Sequence, residues 1–73
     1  MDETALSEKH LRILDAMSYD EYRSVSYIAA KSGTEYYKTL FALDHLCELH
    51  LAVRTKPKST TLYKRVRIEV KGG

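Results

Sequence analysis

Tryptophan is absent from this 73-residue chain, phenylalanine, proline and cysteine occur once each, and glycine occurs three times. Each shortage excludes something. The single cysteine, Cys47, leaves no internal disulfide framework and no thiolate zinc site, and it fits a reducing, cytoplasmic setting. No apolar run exceeds a few residues, so no transmembrane helix and no membrane partner are expected. The amino-terminal stretch lacks the positive charge of a secretory signal; Asp2, Glu3 and Glu8 stand there instead. There is no glycine-rich phosphate loop, no internal repeat and no low-complexity segment. Length is short as well. A chain of this size covers only about 60% of the surface its unfolded form exposes, so one domain with one small core is expected over residues 1–73. That leaves no cleft between domains and no room for a sensor domain, so neither a cofactor nor a small-molecule ligand is expected.

What is present is an ordinary globular mixture, 44% apolar and 30% charged, with a net charge of only +2. The distribution of that charge is less ordinary. Residues 1–50 hold nine acids and five bases, whereas residues 51–73 hold seven bases (Arg54, Lys56, Lys58, Lys64, Arg65, Arg67, Lys71) against Glu69 alone. An acidic part of −4 thus precedes a basic part of +6. Such asymmetry points to a polyanion partner or a basic tail.

Apolar spacing divides the chain in the same place. Leu6, His10, Ile13, Leu14 and Met17 recur at helical spacing, predicting a first helix from Thr4–Ser7 to about Ser18, with Thr4 or Ser7 as N-cap. Residues 19–23 read as a connector. Arg23, Ser24 and Val25 suit a very short strand. Ser26 then offers an N-cap to a short helix over Tyr27–Ser32, which Gly33 ends in the left-handed conformation. Thr34 offers the next N-cap. The third helix runs from Glu35 to about His50, with Tyr36, Leu40, Leu43, Leu46 and Cys47 as its apolar stripe. Beyond it the period becomes two. Leu51, Val53 and Thr55 form one alternating run and Val66, Ile68 and Val70 another, joined through Lys56, Pro57, Lys58, Ser59 and Thr60. These two runs predict a β-hairpin, with residues 71–73 as a loose end. A lone hairpin is marginal in water, so it must rest on the helices and display its charge on a rigid ribbon.

The segment Val25-Ser26-x-Ile28-Ala29-Ala30-x-x-Gly33-Thr34 carries the chemistry of a helix-turn-helix. Small Ala29 permits close helix approach, and Gly33 permits a sharp corner. Arg54, Lys56, Lys58, Lys64, Arg65 and Arg67 lie on or beside the hairpin, where they suit phosphate contacts. With this element order and the Leu43/Leu46 stripe, the chain resembles a winged helix-turn-helix DNA-binding domain over about residues 6–70. The likeness implies an α+β fold of three helices with a C-terminal β-hairpin wing. It implies a partner in double-stranded DNA and a role as a small transcriptional regulator. The third helix would enter the major groove with Thr34, Glu35, Tyr37, Lys38, Phe41 and His45 on its reading face, and Lys56, Lys58 and Ser59 would form the wing tip. The Z-DNA-binding branch of that family uses an Asn and a Tyr where this chain has Leu40 and Asp44, which argues against that branch.

The third helix is unusual for such a reader. Its outward face offers Lys38 as its one cation, among Tyr37, Phe41, Asp44 and Glu48. An exposed Tyr37/Phe41 pair also suits a protein partner or a homodimer, whereas a one-residue change of helical phase would bury Phe41 in the core. Six tyrosines is a high count, and Tyr19, Tyr22 and Tyr27 gather near one connector, as an interface or as support for a small core. His45 and His50 lack the four-residue spacing of a helical metal pair, and His10 belongs to another helix, so no metal site is expected. Cys47, within an apolar stripe, is expected to be inert, and no enzyme is expected.

Overall fold

Ser7 decides where the first helix begins. The computed structural model describes residues 7–67, and in it the Ser7 hydroxyl accepts the His10 backbone N–H at 3.3 Å. Helix α1 follows over Glu8–Ala16. Thr4 and Leu6 lie outside the described residues. The helix stops two residues before the expected Ser18, because Met17 turns extended while its N–H returns to the Leu14 carbonyl at 3.1 Å. Ile13, Leu14, Ala16 and Met17 are buried.

Strand β1 is Arg23–Ser24, and helix α2 spans Val25–Ser32. The cap is Ser24 rather than Ser26: the Ser24 hydroxyl accepts the Tyr27 N–H at 3.1 Å. Strand pairing holds Ser24 extended, which puts the first helical residue at Val25 and turns Val25, Ile28 and Ala29 inward together. Gly33 ends α2 at φ +70, as its lack of a β-carbon permits. The N–H groups of Gly33 and Thr34 both reach the Ala29 carbonyl.

Helix α3 spans Tyr36–Glu48, starting one residue later and ending two residues earlier than its periodicity predicts. Thr34 does not cap it. No side chain does; instead the Thr39 hydroxyl donates to the Glu35 carbonyl at 2.9 Å. The phase of the helix is read from its packing. Thr39, Ala42, Leu43 and Leu46 form the buried stripe, Leu40 and Cys47 flank it, and Tyr36 is 45% exposed. Beyond α3 the chain turns through His50 at φ +64, a left-handed position usually given to glycine. The Leu51 N–H then bonds the Leu46 carbonyl at 2.9 Å.

The hairpin consists of β2, Ala52–Thr55, and β3, Leu62–Arg65, joined by residues 56–61. All pairing is antiparallel, in the order β1-β3-β2, so β3 is central. Both alternating runs differ from expectation. The second strand begins at Leu62 rather than Val66, and Ile68, Val70 and residues 71–73 lie outside the described residues. Register places Arg54 opposite Tyr63 and Ala52 opposite Arg65. This set faces the helices, with Ala52 and Tyr63 buried, whereas Val53 turns outward at 40% exposure. Small Ala52 lets the sheet approach α3, and the Tyr63 ring fills the space that remains. Over the described residues the result is a small α+β fold of three helices and one three-stranded antiparallel sheet.

Candidate functional site

The corner α2–Gly33–α3 holds α2 against the core and leaves the first half of α3 facing outward. Tyr37 is 67% exposed and Phe41 70%, with Lys38 exposed beside them. Burial of Thr39, Ala42, Leu43 and Leu46 takes up the inward face of α3, and Phe41 stands on the surface rather than in the core. Tyr36 and Tyr37 meet edge to face with ring centres 5.4 Å apart. Between α3 and the hairpin loop lies a groove of about 340 Å³, walled by Ser24, Ser26, Ser59, Thr60 and Thr61 over Tyr36 and Leu40. Its hydroxyls are hydrogen-bond partners for a polar or anionic ligand. Spacing predicts Tyr36 in the apolar stripe of α3, but the buried stripe starts at Thr39 and Tyr36 is part of the surface.

The basic segment divides into two sets. Lys56, Lys58 and Ser59 are exposed in the loop at the hairpin tip, and Lys56 and Lys58 make no ion pair with any described residue. The strand cations are all engaged. Arg54 donates to Asp44 Oδ1 at 3.0 Å. Lys64 lies 4.9 Å from the centre of the Tyr22 ring. Arg65 donates to the Leu14 carbonyl at 3.3 Å and lies 3.9 Å from Asp15. Both Arg65 and Arg67 also stand over Tyr19, at 4.7 and 4.4 Å. Helix α1 has no basic residue in its own last turn, so Arg65 supplies from β3 the positive charge that a helix C-terminus favours. Arg23 completes the set, 4.7 Å from the Tyr27 ring and 3.3 Å from Glu21. Tyr19, Tyr22 and Tyr27 thus act as platforms for cations of the same chain.

Asp44 ties α3 to the hairpin. Its Oδ1 accepts from Arg54 and also from the Tyr63 hydroxyl, at 3.0 Å each. Burial, then the hydrogen bond to Asp44, pushes the Tyr63 phenol up to about 12. The other titratable groups of α3 are weaker candidates. His45 lies 5.4 Å, centre to centre, from His10 on α1 and 3.9 Å from Glu48. Partial burial, then the charges of His45 and Lys9, lower the His10 pKa. The Ser7 hydroxyl and His10 Nδ1 share a hydrogen bond of 2.7 Å. Burial pushes the Cys47 thiol up, away from a reactive thiolate. Thr34 is half-buried, and its hydroxyl oxygen is enclosed without a hydrogen-bond partner. Among the described residues no three His, Cys, Asp or Glu side chains are grouped to hold a metal ion, and no helix is long and apolar enough to cross a membrane.

Comparison with known proteins finds no family model, no curated protein and no solved structure that matches the chain. Function must therefore be argued from its own surface. Tyr37, Lys38, Phe41, His45, Arg54, Lys56, Lys58 and Ser59 are the exposed members of the expected set, and Thr34, Lys64 and Arg65 are half-buried. Arg54, Lys64 and Arg65 have partners within the fold, and His45 lies beside His10.

Proposed function

We propose that this chain is a winged helix-turn-helix domain that binds double-stranded DNA, as a small transcriptional regulator. One observation carries the reading: an outward helix face of Tyr37, Lys38 and Phe41 stands beside a hairpin tip with two exposed lysines that make no ion pair with a described residue. In this reading α3 enters the major groove. Lys38 and the Tyr37 hydroxyl meet phosphates or base edges, and Phe41 contacts thymine methyl groups. Lys56 and Lys58 bind the backbone at the wing tip.

Titration into a random-sequence duplex tests the reading. Three lysines on three phosphates give a salt slope of about −2.7 on a log–log plot, or an affinity loss of about 40-fold from about 50 to about 200 mM salt. Absence of binding at low salt would overturn it. A second reading is favoured by the exposure of Phe41 and Tyr37, since apolar rings on a surface helix suit a protein groove. There the domain is an interaction module for an acidic protein, or a homodimer formed through these rings. Its sign is complex formation without DNA that Phe41→Ala abolishes.

A further inference from the structure

An exposed Arg–carboxylate pair is ordinarily weak, because fixing two long side chains in one geometry offsets most of the attraction. The Asp44–Arg54 pair differs in one respect. The Tyr63 hydroxyl, on a residue only 2% exposed, donates to the same Oδ1 that Arg54 uses. Tyr63 itself is held in the central strand, opposite Arg54. The carboxylate is therefore fixed before Arg54 arrives, and only the arginine has freedom to lose. Asp44 also has no easy exit, since leaving would strand a buried hydroxyl. On the α3 side the pair borders a groove of about 500 Å³ lined by Asp44, Cys47, Glu48, Val53 and Arg54. The charges along that groove sum to acidic.

We infer that Asp44 is an internal substitute for a phosphate: it occupies Arg54 and keeps it out of the polyanion interface, limiting the affinity of the domain. This rests on the DNA reading. The polyanion footprint then ends at the first half of α3 and the hairpin tip, and the Asp44/Glu48 side of α3 repels it. Affinity is set below what the composition of the hairpin would allow, and relief of one charge raises it.

The experiment is a two-by-two set of full-length chains, wild type, Asp44→Asn, Arg54→Gln and both together, titrated into one random-sequence duplex across a salt series. Asn keeps an acceptor for the Tyr63 hydroxyl and removes the charge. Asp44→Asn is expected to tighten binding about tenfold at about 50 mM salt and to steepen the log–log slope by about 0.9, one phosphate contact. Arg54→Gln in the wild-type background is expected to leave the slope unchanged. In the Asp44→Asn background it is expected to cancel the gain. A slope flattened by about 0.9 in Arg54→Gln alone would show that Arg54 already meets phosphate, and overturns the inference. So does an Asp44→Asn chain that folds, by its thermal transition, yet binds no tighter. Should Asp44→Asn not fold, the Arg54→Gln slope decides alone. If neither the wild type nor Asp44→Asn binds at low salt, the DNA reading falls and the masking role falls with it.

Discussion

The tip and the base of the hairpin carry the same kinds of side chain and use them in opposite ways. Lys56 and Lys58 at the tip are exposed in a loop and have no carboxylate partner among the described residues. Arg54, Lys64, Arg65 and Arg67 at the base are each held, by Asp44, by tyrosine rings or by the end of α1. A basic stretch in a sequence is therefore an upper bound on the charge a protein can offer a partner. In a chain this short, with little core, cations laid over rings and helix ends help close the fold. The contrast predicts that base substitutions cost stability and tip substitutions cost binding.

The largest expected effect is at the base. Tyr63→Ala, which empties a buried ring site, should destabilise the fold by about 3–5 kcal/mol in urea unfolding. Tyr63→Phe should cost only about 1 kcal/mol, the net worth of its hydroxyl bond. Equal losses for the two would mean that the hydroxyl, not the ring, holds the sheet. Next comes Arg65→Ala, at about 1–2 kcal/mol, from the lost bond to the Leu14 carbonyl and the lost stacking on Tyr19. A Lys at this position should restore only part of that, since it cannot donate to the carbonyl and lie flat on the ring together.

Acidity divides the molecule in the same sense. The folded state lowers the His10 pKa below its ordinary 6.5, so unfolding takes up a proton. The associated stability is whole above pH 6.5 and is lost as pH falls through the folded value; His10→Gln should flatten that acid limb in urea midpoints. Tyr63 works the other way. Its pKa is raised from 10.0 to about 12, so its stability is whole below pH 10 and lost as pH rises toward 12; Tyr63→Phe should remove that alkaline limb. The smallest stability effect belongs to the tip. The Lys56→Ala/Lys58→Ala double variant should shift unfolding by no more than about 0.5 kcal/mol. Its affinity for all duplex sequences should fall together; a change in sequence preference alone would contradict backbone contact at the tip.

Local chemistry made much of this fold legible. The Gly33 corner, α3 and the existence of a hairpin all follow from residues within a few positions of one another, whereas the sequence leaves Thr4 and Ser7 both open as the cap of α1 and the structure places it at Ser7. What sequence spacing missed was decided at longer range. Ser24 rather than Ser26 caps α2 because pairing with β3, far along the chain, keeps Ser24 extended. Val53 looked like an inward residue by alternation, but register with Tyr63 and Arg65 turns Ala52 inward instead. The end of α3 carries no glycine, so His50 in a left-handed turn gave no signal. On the candidate surface, Tyr37, Lys38 and Phe41 could be read from helical phase. The Asp44–Tyr63 bond, across 19 residues, could not.

The order of the strands also bears on how the chain reaches this state. The central strand, β3, is the latest of the three in the sequence, and among the described residues neither β1 nor β2 has another strand to pair with. Everything through Thr55 can emerge from a ribosome without a single strand–strand bond, carrying three helices around an incomplete core. Ala52 and the α3 flank then wait for Tyr63. Closing β1 onto β3 joins residues separated by most of the molecule, which makes it the slow, entropically costly step. The sheet should consequently be completed late, and a nascent chain halted in the hairpin loop should expose the apolar faces that the finished protein covers.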